Sequence, residues 1–131
     1  MRVGDDEFNA AVEASRERLH VAALVPADEP GCMLTYKELS QWLRTTRQLR
    51  VHWRGRLISL MLEEVCLREH NDGRRSLLSA LVVAKKTGLP AAMFFDLAGR
   101  DPYLRRFADP EAFWLAECQL IRAEHHTLAA T

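Results

Sequence analysis

The stretch SLLSALVVAKKTGLPAAMFFDLA, residues 76–98, constrains the fold more than any other part of the sequence. It joins two short apolar runs through a cationic turn that contains Gly88 and Pro90. Short apolar runs with β-branched residues, bounded by turn-forming residues, are typical of strands. We therefore predict that residues 77–83 and 91–95 pair as an antiparallel β-hairpin.

The rest of the chain has helical periodicity. Apolar residues recur about every 3.6 positions, as on a helix with one buried face, in residues 6–24, 36–43 and 53–69. On the third of these helices we place Leu57 on the buried face. Glu69 near its end is predicted to face water.

Local sequence features mark two helix starts. Thr35 followed three residues later by Glu38 is a capping box, in which each side chain accepts a hydrogen bond from the other residue's backbone N–H. Asp109 followed by Pro110 is typical of the first residues of a helix. We predict a short helix at 102–107 and a longer one after it that ends near 126. The core face predicted for the longer helix carries Phe113, Ala116, Leu120 and either Ala123 or Ile121.

These elements predict a mainly α domain with a β-hairpin, an α+β class. A chain of 131 residues leaves little room for a second core, so residues 1–131 are expected to form one domain. A short helix, a turn, a second helix and a two-stranded wing form the winged helix-turn-helix pattern. Residues 33–96 are the predicted winged-helix-like core, with helix 6–24 and the C-terminal helices of residues 102–126 packed on it.

The composition argues against a membrane protein. The longest apolar run is far shorter than the roughly 20 residues that cross a bilayer. The N-terminal residues are acidic where a secretion signal is cationic, so we expect a cytoplasmic protein without membrane contact. Cys32, Cys66 and Cys118 are odd in number and have no metal-ligand spacing, so we expect reduced thiols.

Charge is balanced overall but unevenly distributed. The chain has 18 basic and 18 acidic residues, whereas the segment RTTRQLRVHWRGR, residues 44–56, has no acid. Such segregation favours a polyanionic partner. We predict that the protein binds DNA through this segment and the two lysines between the apolar runs. The predicted nucleic-acid-binding residues are Arg44, Arg47, Arg50, His52, Arg54, Arg56, Lys85 and Lys86.

Three motifs resemble the winged-helix domain of the alkylguanine-DNA alkyltransferases and alkyltransferase-like proteins. MLTYKELSQWL resembles their Thr-Tyr-Gly-Glu-Leu-Ala helix, and RGRLI resembles their recognition-helix motif Val-Gly-Arg-Ala-Leu, with Gly55 and Arg56 on the matching positions. LSALVVAKKTGLP resembles their Pro-Cys-His-Arg-Val-Val strand and wing, with Val82 and Val83 on the two valines. The resemblance covers residues 33–95 and implies a DNA-binding scaffold.

The catalytic positions of that family are not kept. Ser79 and Ala80 stand where the resemblance places the nucleophilic cysteine and its activating histidine, so alkyl transfer is not implied. His52 stands where the family has an intercalating arginine, which places base flipping in doubt.

Other enzyme chemistry has no support in the sequence. No phosphate-binding glycine-rich loop occurs, and Glu63 and Glu64 point in different directions on a helix. The histidines have no spacing that places two metal ligands on one face. We therefore expect no catalytic residue, no cofactor and no metal. The five histidines are His20, His52, His70, His125 and His126.

The alternative function is a protein-interaction module, such as an inhibitor, an immunity protein or an adaptor subunit. Aromatic residues beside arginines are typical of interface anchors. Such a module would have a protein partner or form a homodimer. Its predicted contact residues are Trp42, Trp53, Tyr103, Arg105 and Arg106.

Overall fold

The computed structural model of the chain describes residues 3–130. It is mainly helical with a small parallel sheet, which agrees with the predicted α+β class. None of the described helices combines the length and the apolarity that crossing a membrane requires. The elements are α1 (Val3–Leu24), β1 (Leu34–Thr35), α2 (Tyr36–Arg47), α3 (Arg56–Asn71), a 3₁₀ helix (Leu78–Leu81), β2 (Val82–Val83), α4 (Ala92–Gly99) and α5 (Pro110–Ala130).

The predicted β-hairpin is wrong. Strand β2 pairs in parallel with β1, with Leu34 opposite Val82, and residues 92–99 form helix α4. Every residue from 76 to 83 is buried, so this run crosses the core, whereas a surface hairpin exposes one face of each strand. Short apolar runs are compatible with both strand and helix, and burial on all sides decides here.

The core is built around the 3₁₀ helix. This short segment contacts α1, α3 and α5, and those three helices form the largest part of the packing. The side chains that are almost completely excluded from solvent include Val12, Leu19, Leu39, Leu43, Ile58, Met61, Val65, Leu77, Leu78, Leu81 and Ile121.

Helix α2 begins as predicted and ends later than predicted. The backbone N–H of Glu38 donates to Thr35 Oγ1 at 3.1 Å, and that of Thr35 donates to Glu38 Oε1 at 2.8 Å, so the capping box is confirmed. The helix runs beyond residue 43 and stops at Gln48, whose φ of 56° is left-handed. The predicted loop residues Arg44 and Arg47 therefore lie on α2.

Helix α3 corrects two side-chain predictions. Its buried stripe contains Ile58, Leu62, Val65 and Glu69, so Glu69 is inside the protein and not in water. Leu57 was predicted to be buried, but 46% of it is exposed. Leu57 falls outside the stripe because it precedes Ile58 by one position, which is a rotation of about 100° around the helix.

Helix α5 has the predicted start and a different buried face. Asp109 Oδ1 accepts the N–H groups of residues 111 and 112, which confirms the cap before Pro110. The indole N–H of Trp114 donates to the Ala80 carbonyl at 2.8 Å, and this hydrogen bond lets a large polar-tipped ring enter the core. Of the predicted face, Ile121 is buried and Phe113 and Leu120 are half-buried. The buried residues are Trp114, Glu117, Cys118, Ile121 and His125, whereas Ala116 and Ala123 are exposed.

The segment before α5 is not a helix. Residues 102–107 form a turn followed by irregular backbone, and Leu104 takes a left-handed φ of 51°. Its backbone N–H and that of Tyr103 both donate to the carbonyl of Arg100, which closes the turn. The C-terminal helical part of the chain therefore begins at Pro110.

Candidate nucleic-acid interface

A groove with a cationic lining lies between the start of α2, the turn before α3 and the turn after β2. Its volume is about 790 Å³. We call it the cationic groove. Four cations line it with one carboxylate, Glu38, which already accepts the Thr35 N–H in the capping box. The charged and aromatic residues of the lining are Tyr36, Lys37, Glu38, Trp53, Arg54, Lys85 and Lys86.

Trp53 contacts two of the cations that line the cationic groove. The guanidinium carbon of Arg54 lies 4.3 Å from the centroid of the indole, and Lys37 Nζ lies 5.8 Å from it. The ring of His52 stacks nearly parallel to the indole at a centroid distance of 6.2 Å. Cation–π contacts of this kind orient the positive groups while leaving their N–H donors free.

The short parallel sheet brings the lysines to this groove. Thr35 pairs with Val83, so the residues that follow β2 lie beside the first turn of α2. The backbone N–H of Ala91 donates to the Tyr36 hydroxyl at 2.8 Å and fastens the far end of the turn. Within the turn, the N–H of Gly88 donates to the Ala84 carbonyl at 2.8 Å, and Gly88 supplies the left-handed φ of 72°.

The start of α3 adds a second electropositive feature. Its N-cap residue, Gly55, makes no side-chain cap, and the first turn contains no acid. Unpaired N–H groups and the helix dipole therefore leave a positive end next to Arg54 and Arg56. Anions bind at helix N-termini for this reason.

The predicted arginines divide into two groups. Arg47 donates to Glu17 at 2.7 Å and lies 5.3 Å over the ring of Trp42, so its charge is already matched. Arg44 lies seven positions after Lys37 on α2, and this spacing places both on one side of the helix. Six other predicted cations are exposed, and three of them, Arg54, Lys85 and Lys86, line the cationic groove. The remaining three are Arg44, Arg50 and Arg56.

The predicted protein-contact residues are spread over different surroundings. Trp42 is half-buried beneath Arg47, and Tyr103 is half-buried with its ring edge-on to His70 at 5.7 Å. Arg105 is held by Glu117 at 3.3 Å, whereas Arg106 is exposed. Of the five predicted protein-contact residues, only Trp53 lines the cationic groove.

The positions that match the alkyltransferase nucleophile are buried. Ser79 and Ala80 lie in the 3₁₀ helix with 4% and 0% of their surface exposed. The thiol of Cys66 donates to Ser79 Oγ at 3.1 Å, and burial raises the pKa of this thiol to about 11. The thiol therefore stays protonated at neutral pH.

A buried polar cluster lies away from the groove and was missed in the sequence. Glu69 is 0% exposed, and its Oε2 accepts from Arg16 Nε at 3.0 Å while its Oε1 lies 2.9 Å from His20 Nε2. His125 Nε2 is 3.7 Å from the same Oε1. Burial by itself raises the pKa of Glu69, but the nearby His125, His20 and Arg16 outweigh it and hold that pKa well below its ordinary range.

Sequence spacing could have located only one member of this cluster. Glu69 follows Val65 by four positions on the apolar stripe of α3, which is a sign of a buried acid. Its partners come from α1 and α5, dozens of residues away, and no local pattern brings them together.

Comparisons with known proteins give no relative for this chain. No protein-family model, no curated protein and no solved structure matches it.

Proposed function

We propose that this protein binds nucleic acid, with duplex DNA as the first candidate, and does so without catalysis. The observation that carries the proposal is the stacking of Arg54 on Trp53 beside Lys37, Lys85 and Lys86 in one open groove. Positive side chains contact phosphates, and an aromatic ring among them offers a surface to sugars or bases.

The proposed mode uses α3 as the reading element. Its uncapped N-terminus and Arg56 would take one phosphate, while Arg54 reaches a guanine edge or a neighbouring phosphate. The winged-helix class is part of this proposal, since α2 and α3 are consecutive helices as in a helix-turn-helix. The turn at 84–89 would act in place of a wing, with Lys85 and Lys86 on the DNA backbone.

Salt dependence gives the first test. About four neutralised phosphates give a slope of about −3.6 in log affinity against log salt, which is a loss of about 100-fold between 50 and 200 mM. We expect this loss in fluorescence anisotropy titrations of a labelled random duplex. Absence of binding at 50 mM would overturn the proposal.

Substitutions locate the binding surface. Arg54→Ala removes a cation and its contact with Trp53, so we expect affinity to fall at least about tenfold and the salt slope to decrease by about one. Lys85→Ala removes one backbone contact at an exposed turn, and we expect a loss of about threefold. Arg47→Ala is the matched control, because Glu17 already pairs with this arginine of the same segment. Equal losses for Arg47→Ala and Arg54→Ala would contradict the groove assignment.

A second candidate function is the binding of a protein partner. One observation favours it: Phe8, Leu57 and Leu60 line a second groove between α1 and α3, and Glu63 and Glu64 form part of its rim. Leu57 and Leu60 are 46% and 38% exposed, so this groove presents apolar surface to solvent.

A basic amphipathic segment fits the composition of this second groove. Anisotropy with a labelled Lys/Leu amphipathic peptide tests it, and Leu60→Glu should weaken the peptide complex at least about tenfold. Arg54→Ala should leave that complex unchanged. The opposite pattern, or peptide binding insensitive to Leu60→Glu, would remove this candidate.

A further inference from the structure

Three side chains from three helices converge at one buried point. His20 belongs to α1, Glu69 to α3 and His125 to α5, and one ligand atom from each lies within 4.8 Å of the others. The imidazole rings are 4.9 Å apart between centroids. Two imidazoles and a carboxylate are a donor set that borderline transition-metal ions prefer.

His125 has the hydrogen bonding of a metal ligand. It is 5% exposed, and its Nδ1 lies 3.0 Å from the Ile121 carbonyl oxygen. A carbonyl only accepts, so Nδ1 donates this hydrogen bond and Nε2 is the ring nitrogen that faces the cluster. That Nε2 is buried and has no hydrogen-bond partner. Metal-bound histidines commonly donate their other ring N–H to a backbone carbonyl in this way.

Glu69 offers one oxygen to the two histidines. Arg16 occupies Oε2, with Nε at 3.0 Å, and leaves Oε1 facing His20 and His125. The charge of Arg16 is shared with Glu13 and Asp72, which also contact it. Arg16 therefore holds the Glu69 carboxylate with Oε1 toward the two histidines. Glu13 and Asp72 share in balancing the charge of Arg16.

We propose that His20 Nε2, Glu69 Oε1 and His125 Nε2 bind one Zn²⁺ or a similar transition-metal ion. Tetrahedral zinc with bonds of about 2.0–2.1 Å has ligand atoms about 3.3 Å apart. The two distances from Oε1, 2.9 Å to His20 and 3.7 Å to His125, lie on either side of that value. The side chain of His20 is 32% exposed, so water can supply the fourth ligand.

Arg74 competes with the metal for the same oxygen. Its Nε is buried without a hydrogen-bond partner and lies 3.6 Å from Glu69 Oε1. Its NH1 is 3.7 Å from Asp72, so the guanidinium can move toward that carboxylate when an ion enters. A bound ion would join α1, α3 and α5, and so stabilise the fold by mass action.

The test is a zinc titration of the metal-free full chain against a chromophoric chelator, in a Cys32→Ser background that removes the most accessible thiol. We expect one equivalent of Zn²⁺ for this protein. His20→Ala and His125→Ala should each lose about 100-fold or more in affinity. His126→Ala is the matched control, because His126 is the exposed neighbour of His125 on α5 and should bind zinc normally.

Three further measurements keep the outcome decisive if a variant folds poorly. Arg74→Ala removes the competing cation, so this variant should bind zinc several-fold more tightly. If the cluster were only a structural set of ion pairs, Arg74→Ala would lower the stability and leave zinc binding no tighter. Saturating Zn²⁺ should raise Tm by about 5 °C or more. Co²⁺ should give the visible absorption bands of a tetrahedral site. No stoichiometric zinc binding, or equal losses for His125→Ala and His126→Ala, would overturn the site.

Discussion

At the scale of single residues, two buried glutamates behave in opposite ways. Glu69 and Glu117 are 0% and 3% exposed. Positive groups surround Glu69, so its pKa is lowered. Burial dominates at Glu117 and raises its pKa, although the Leu77 N–H at 2.7 Å and Arg105 at 3.3 Å both favour its charged form. The number of donors around each carboxylate explains the difference.

The raised pKa of Glu117 predicts a specific pH dependence. In the unfolded chain this group titrates near its ordinary value of 4.5, and in the folded chain it titrates higher. The folded state therefore binds more protons between the two values, and the free energy of unfolding falls as pH rises through that window. Glu117→Gln, which keeps an acceptor for Leu77, removes this loss.

Chemical denaturation of both proteins at several pH values checks the expectation. The stability of Glu117→Gln relative to the parent protein should increase as pH rises from below 4.5 toward neutrality. A relative stability that is constant with pH, or that increases as pH falls, would contradict the assignment of Glu117.

At the scale of elements, the start of α2 determines the shape of the cationic groove. Thr35 caps this helix and pairs through its backbone with Val83, while Lys37 in the first turn lines the groove. A change at the cap therefore acts on stability and on the groove together.

Thr35→Ala should cost about 1 kcal/mol of stability. The substitution removes the hydroxyl that accepts the Glu38 N–H, and loss of such a cap has this typical effect. Urea denaturation measures it. Thr45→Ala is the control, because Thr45 bonds only the Gln41 carbonyl within an exposed part of the same helix. A loss for Thr45→Ala as large as that for Thr35→Ala would show that the cap is not responsible.

The sequence predicted elements where the deciding interactions are local. The capping box and the Asp109–Pro110 start depend on residues two or three positions apart, and both are confirmed. The conformation of residues 77–83 depends on burial by α1, α3 and α5 together, which no local pattern shows, so their strand prediction was largely wrong. The face of α5 depends on the distant carbonyl that Trp114 reaches.

The sites follow the same rule. The cationic segment could be predicted because its five arginines lie within thirteen residues of the sequence, and of these Arg54 shares a groove with Lys85 and Lys86. The pairing of Arg47 with Glu17 could not be predicted from the sequence, because the two residues are thirty positions apart. The convergence of His20, Glu69 and His125 required the packing of α1, α3 and α5.

At the scale of the whole molecule, the chain has equal numbers of basic and acidic residues but places them in different environments. Arg16 of α1 contacts Glu69 at the end of α3 and Asp72 just after it. These partners lie more than fifty residues from it along the chain, so this one side chain fastens α1 to α3. Contacts from α5 through His125 complete the connection.

Arg16→Ala should therefore destabilise the fold far more than the loss of a surface ion pair. It leaves the Glu69 carboxylate, whose side chain is 1% exposed, without the guanidinium that binds its Oε2, and removing one partner of a buried ion pair costs about 3–5 kcal/mol. Arg47→Ala breaks the pair with Glu17, whose side chains are 42% and 69% exposed, and should cost less than about 1 kcal/mol. Urea denaturation of the two variants beside the parent protein measures both losses.

The double variant Arg16→Ala with Glu69→Gln should recover part of the stability that Arg16→Ala loses, because it removes the buried negative charge. Similar losses for Arg16→Ala and Arg47→Ala would mean that the buried pair contributes no more than a surface contact, and that α1 and α3 are held together by apolar packing alone.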